Sequence, residues 1–257
     1  MKTHILIFKG ILIFFMASAF LPASAQYKFD SKPFKKTFEK AKKAYDDYDY
    51  ATILDLEADL LKFSEPKKDT LTALVYSFLG ESYDVEGDPM KAYDYYKKEY
   101  ALRQSIQDKS EYNYGGLLFN LAFYAMGLGD YQESEKLFLE LVDEDKKIYG
   151  NKSEEYARTV KNLADLYKSM GRYKDSETTL RKLMREIDSD NPNYPSVVTN
   201  LAILYTATGE FSKSERTFER ALELLENSVG SASLDYVVAL GSLSFLYQSA
   251  GRYSEAE

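Results

Sequence analysis

The chain has 257 residues, with 33 Lys and Arg against 41 Asp and Glu, a net charge of −8, one histidine and no Cys or Trp. So acidic a surface argues against nucleic acid, where Lys and Arg must neutralise phosphates, and against adhesion to anionic lipid. It is long enough to bury a continuous core without disulfides, so the missing cysteines leave the redox compartment open.

Residues 1–25 have the grammar of a secretory signal peptide. Lys2 and Lys9 supply positive charge, an apolar run follows from Ile11 to Leu21, and Pro22 leads into Ala23-Ser24-Ala25 ahead of Gln26. The uninterrupted core from Gly10 to Leu21 has 12 residues, short of the ~20 a spanning helix needs. Cleavage between Ala25 and Gln26 is expected, giving a periplasmic or secreted protein without stable membrane association. Cleavage removes two lysines, no acid, and the sole histidine, His4, so the mature balance is 31 basic against 41 acidic residues, or −10. A chain without His or Cys cannot build a Ser-His-Asp or Cys-His nucleophile, nor a zinc site of imidazole or thiolate. No enzyme activity, metal or cofactor is expected within these residues.

Residues 26–33 read as a linker to a helical array over 34–257. The stretch 34–63 is a degenerate helix pair, with Ala41, Ala44 and Tyr45 on the first helix and Tyr48, Ala51 and Leu54 on the second. Asp46 takes the turn position between them. Ser64 to Asp69, with Pro66, connects this pair to a regular series. Units follow at about 70–110, 112–150, 154–190 and 195–229, with a truncated one at 234–257. Their mark is a turn glycine: Gly87, Gly129, Gly171, Gly209 and Gly251 are 42, 42, 38 and 42 residues apart. A period of about 20 to 50 residues signals a repeat architecture.

Upstream of the glycines stand Leu79-Gly80 with Tyr83, Leu163-Ala164 with Tyr167, Leu201-Ala202 with Tyr205, and Leu243-Ser244 with Tyr247, while Leu121-Ala122 keeps the motif but has Ala125 in place of the tyrosine, with Tyr124 beside it. Leu and Tyr four apart share one helical face. Downstream come a small residue (Ala92, Ser134, Ser176, Ser214, Ala256) and, four further on, a large one (Tyr96, Phe138, Leu180, Phe218). Small at one turn and large at the next lets paired helices interdigitate. Of the 23 tyrosines, those that fall on repeat core positions are accounted for by packing. Asp143, Glu144 and Asp145 are adjacent on a helix, diverge around it, and are expected to face solvent rather than to converge for acid–base work.

This pattern resembles the tetratricopeptide repeat. The 42-residue period and the openings Asn120-Leu121-Ala122, Asn162-Leu163-Ala164 and Asn200-Leu201-Ala202 are similar to the long repeats of kinesin light chain and its bacterial relatives. The resemblance implies an all-α fold, an α-solenoid in which antiparallel helix pairs wind into a right-handed superhelix. First helices would line the concave face and second helices the convex one. It also implies a non-catalytic scaffold that binds a peptide or protein segment on the concave face.

Carried onto this sequence, the resemblance puts Asn120, Asn162 and Asn200 at one place in three successive first helices. An amide both donates and accepts, so such a ladder can pair with the backbone of an extended peptide. Phe78 and Ser242 interrupt it. The alternative, that each Asn bonds a loop or a neighbouring helix, stays open. Around the ladder, Phe119, Phe123 and Met126 form an apolar patch. Arg158, Lys161, Asp165 and Lys168 form a charged one with positive excess, and Thr199, Ile203 and Thr206 follow. A ligand with an apolar anchor and an adjacent acid would complement that order, although Arg158 and Lys161 can equally be a solvated helix face.

The second helix that Gly251 opens stops at Glu257, so the chain reads as a fragment. In that alternative it is the sensing or regulatory module of a larger protein, whose effector domain, such as a CHAT caspase-like peptidase or a signalling domain, lies beyond residue 257. A passive envelope spacer is a third reading.

Overall fold

The structure, a computed structural model, describes residues 29, 31–107 and 114–256; the expected signal peptide and its cleavage point lie outside the described residues. Thirteen helices are described: α1 Lys32–Asp46, α2 Tyr50–Asp55, α3 Glu57–Ser64, α4 Thr70–Val85, α5 Pro89–Ile106, α6 Tyr114–Gly127, α7 Tyr131–Ile148, α8 Glu154–Ser169, α9 Tyr173–Glu186, α10 Tyr194–Ala207, α11 Phe211–Ser228, α12 Leu234–Ser249 and α13 Tyr253–Ala256. Among the described residues there is no strand, and no helix is long and apolar enough to cross a membrane. The architecture is an all-α solenoid of helix pairs.

Local chemistry sets the helix ends. Ser153 and Ser233 accept from the backbone of Tyr156 and Tyr236 to start α8 and α12. Asp69 and Thr72 form a reciprocal capping box at α4, and Asp88 caps α5 with Pro89 in its first turn. The turn inside each pair is closed by backbone alone. At Gly171 the chain enters the left-handed region (φ 72°), which lets the Arg172 N–H donate back to the Tyr167 carbonyl at 2.8 Å. The other four turn glycines repeat this closure. In the first pair the left-handed residue is Tyr48 (φ 59°), with Asp49 N–H donating to Ala44 at 2.7 Å. Asp46, expected at that turn, is instead the last residue of α1. A side chain in this conformation costs roughly 1–2 kcal/mol that glycine would not.

The chain divides into two compact units, Met1–Tyr124 and Ala125–Glu257. In the first unit, α1, α4 and α5 pack around aromatics. Phe78 lies 4.7 Å from the Tyr45 ring and 5.8 Å from Phe38. Gly80 faces the buried Tyr96 so closely that a Cβ would stand 2.7 Å from the ring. The buried pair Glu99 and Arg103 bonds at 2.9 Å one turn apart on α5.

In the second unit the packing is regular. Ala164 and Ala202 of the first helices accept from Ser176 and Ser214 of their second helices, both at 2.7 Å. These small-to-small contacts let Leu180 and Phe218 be fully buried, each burial stabilising by about 1.5–3 kcal/mol. Successive pairs are clasped at the surface. Arg172 bonds both Glu135 oxygens at 2.8 Å with its guanidinium 4.3 Å over the Tyr167 ring. Tyr205 donates to Glu177 at 2.8 Å under Lys213, and Tyr247 donates to Glu215 at 3.0 Å under Arg252.

One expectation fails here. Asp145 does not face solvent: it is buried, and Thr159 of α8 donates to it at 2.6 Å. Burial pushes its carboxyl above the usual value, with the Thr159 bond and the nearby Arg158 charge pulling the other way. Its helix neighbours do diverge, but α8 covers this one.

Candidate interaction groove

In the second unit the first helices α8, α10 and α12 present equivalent positions along one face. Counting from the Leu of each motif, Asn162, Asn200 and Ser242 precede it by one residue, and Lys161, Thr199 and Gly241 by two. Asp165, Ile203 and Phe245 follow by two. The turns of α10 and α12 enclose a groove of about 620 Å3 lined by Ile203, Thr206, Ala207, Val238, Gly241, Ser242 and Phe245. Lys168 and Ser169 at the end of α8, and Tyr173 opening α9, close one side. The α12 wall is apolar and open: Val238 is 52 % exposed and Phe245 62 %.

The expected site residues divide by unit. Phe119, Asn120 and Phe123 lie on the part of α6 in the first unit, all half-buried. The Phe119 and Phe123 rings stack 6.2 Å apart at 13°. Asn162, Arg158 and Lys161 share α8, with Asn200 beside them on α10. Among the described residues the Asn162 side chain makes no hydrogen bond and is half-buried. Asn200 differs. Its Nδ2 donates to Asp165 Oδ2 at 2.8 Å, and Asp165 Oδ1 holds Lys168 at 2.8 Å. One Asn of the ladder therefore ties α10 to α8.

Lys161 carries the most exceptional electrostatics in this region. It makes no ion pair among the described residues, and its Nζ reaches only the Ser196 hydroxyl, at 3.4 Å. Burial lowers its ammonium below the usual lysine value; the charges of Asp165 and Asp235 oppose that shift, and Arg158 adds to it. Arg158 is half-buried, and its charge reaches Asp145.

Sequence reasoning passed over Val238, Gly241 and Phe245. For Gly241 and Phe245 the signal was available, since they fall one repeat beyond Thr199 and Ile203 on α10. The ladder was followed only at the asparagines, and it stopped at Ser242. The clasps were missed too, though Ser134-Glu135, Ser176-Glu177 and Ser214-Glu215 recur in phase.

A fold of helix pairs with a groove along the first helices defines a repeat scaffold of the kind that mediates protein interactions. The profile of the tetratricopeptide repeat matches residues 114–185 and 195–257, more than half of the chain. The chain belongs to the tetratricopeptide repeat family. Among curated proteins no sequence matches. Solved structures share the fold at low identity. A tetratricopeptide repeat protein from Parabacteroides merdae superposes with a TM-score of 0.66 at 16 % identity, over 88 % of this chain and 77 % of the other. The nearly identical kinesin-light-chain TPR-like repeats from Podosopora anserina give 0.55 at 18 %, over 70 % and 88 %. The apo quorum sensor NprR from B. thuringiensis gives 0.64 at 13 %, over 86 % and 61 %. NprR in complex with its cognate peptide NprX gives 0.60 at 13 %, over 90 % and 66 %.

Proposed function

We propose that this chain is an exported, non-catalytic scaffold that holds an extended segment of another protein along the groove of its first helices. The observation that carries the reading is the recurrence of equivalent positions along one face of α8, α10 and α12, with Asn162 half-buried and free to pair with a peptide backbone. The complex of NprR with its peptide is consistent with such use of the fold. Export rests on the N-terminal charge, apolar run and Ala23-Ser24-Ala25; the N-terminus of protein recovered from the periplasmic or secreted fraction should be Gln26.

Peptides selected on the full chain from a phage-displayed random library test the binding reading. Asn162→Ala should weaken their capture by about fivefold or more, the worth of a peptide hydrogen bond or two, with the melting temperature unchanged. Asn200→Ala should lower both, because Asp165 loses a partner. Loss of stability in Asn162→Ala equal to its loss of binding would make that asparagine structural and count against the proposal.

A further inference from the structure

A second cavity of the same unit, with a volume of about 240 Å3, opens between α9 and α11, the second helices of two successive pairs. Leu201 and Tyr205 of α10 line it, whereas Ile203 and Thr206 line the groove, so different faces of α10 serve the two. Buried Val198, Leu201 and Tyr205 form its floor, and half-buried Met184 of α9 forms one wall. Its rim is cationic, with Arg181 from α9 and Lys213, Arg216 and Arg220 from α11.

The repeat does not require this charge. The same four positions one pair earlier hold Leu139, Asp175, Thr178 and Lys182. Nor is the charge used up inside the protein. Glu177 accepts from Arg181 at 2.8 Å and lies 3.5 Å from Lys213, and Glu210 holds Lys213 at 3.0 Å. Arg216 and Arg220 make no ion pair among the described residues. Arg220 donates instead to the Tyr194 hydroxyl at 3.1 Å, and Arg181 gives its second bond to the Tyr205 hydroxyl at 2.7 Å. A hydroxyl orients a guanidinium without neutralising it and leaves its other donors open. Four cations against two paired carboxylates leave a surplus of two positive charges beside an apolar floor, in a chain whose net charge is −8.

We propose that this cleft binds a small phosphate monoester, with the phosphate among Arg181, Arg216 and Arg220 and the carbon skeleton on Met184 and Leu201. A phosphate monoester carries about −1.5 to −2 charges at neutral pH, which matches the surplus; a monocarboxylate matches half of it. Guanidinium groups meet phosphate oxygens in parallel bonds, and the apolar floor lowers the local dielectric and strengthens the pairing. Volume keeps the ligand small, because the cleft falls below the ~300 Å3 of pockets that enclose drug-sized molecules. The site lies outside the groove and does not depend on what the groove holds.

Titration of the full chain with phenyl phosphate, followed by the Nε–H NMR signals of its arginines, tests the inference. The Arg181, Arg216 and Arg220 signals should shift together and saturate, with benzoate and inorganic phosphate binding about tenfold or more weakly. Arg216 makes no hydrogen bond among the described residues, so Arg216→Gln should keep the melting temperature. It should weaken phenyl phosphate about tenfold or more, the worth of a hydrogen bond to a charged group. Arg185→Gln removes an exposed arginine of α9 outside the cleft and should leave binding unchanged. Equal weakening by Arg185→Gln would reduce the effect to net charge and overturn the inference. So would benzoate or inorganic phosphate binding as tightly as phenyl phosphate, or no shift at Arg216 and Arg220. Binding of a long polyphosphate but not of phenyl phosphate would make the cleft part of a polyanion surface and overturn it too.

Discussion

One repeat position is treated in opposite ways by the two units. In the first, Phe78 of α4 is fully buried, stacked on Tyr45 and near Phe38 of α1. In the second, the same position holds Asn162, Asn200 and Ser242, all half-buried or more open. The repeat scaffold permits both, because helix pairing is fixed by the Leu, small residue and Tyr that follow. This position is free to join the core or to face a ligand. The carboxylates divide likewise. Glu57, Glu81 and Asp84 of the first unit accept from tyrosines, whereas Glu177 and Glu215 of the second each accept from a tyrosine and an Arg together. Aromatic fill leaves the first unit little free polar surface at α4; the second keeps its groove.

The comparison breaks most sharply at Phe78. Phe78→Asn imports the ladder residue into the first unit, and should cost about 3–5 kcal/mol through the cavity and the unsatisfied amide. The converse, Asn162→Leu, should stay within about 0.5 kcal/mol. Denaturant melts of both variants decide; a well-tolerated Phe78→Asn would show that the α4 position is a latent groove after all. Next in size is the small-to-large pair inside each helix pair. Gly80→Ala forces the buried Tyr96 ring to move and should cost about 1–3 kcal/mol. Gly80→Ala with Tyr96→Leu recreates the Ala164 and Leu180 arrangement of the second unit and should recover most of that loss. Strict additivity of the two changes would mean that Gly80 and Tyr96 are not coupled.

What was legible in the sequence follows from which physics is local. The turn glycines could be read because a left-handed residue closing a helix end is a demand of the backbone itself, and the same demand recurs every 38 to 42 residues. The degenerate first pair hid its turn because Tyr48 meets that demand at a cost glycine avoids. Asp145 was misplaced because its burial depends on α8, whose Thr159 lies 14 residues away. The asparagine positions were legible as a phase. That Asn200 spends its donor on Asp165 was not, because that bond spans 35 residues.

The smallest expected effect concerns acid. In the first unit, burial raises the Asp84 carboxyl, with the Tyr124 and Tyr96 hydroxyls opposing the shift. In the second, the Arg181 bond lowers Glu177, and the Arg252 bond lowers Glu215. A raised carboxyl binds its proton more tightly in the folded chain, so its stabilisation is complete below the ordinary value of 3.8 and lost as pH rises through the folded value. A lowered one contributes above the ordinary 4.5 and is lost as pH falls through its folded value. Acidification from neutrality should therefore first increase hydrogen-exchange protection around α4, and only at lower pH weaken it where α11 meets α12. Asp145 adds an early gain near α8 for the same reason as Asp84, so the α11–α12 contact is the cleaner reporter of the clasps. Glu215→Gln should flatten the late loss there and leave α4 untouched. An α11–α12 contact that loses protection in acid as much in Glu215→Gln as in wild type would show that the clasp with Arg252 and Tyr247 contributes nothing measurable.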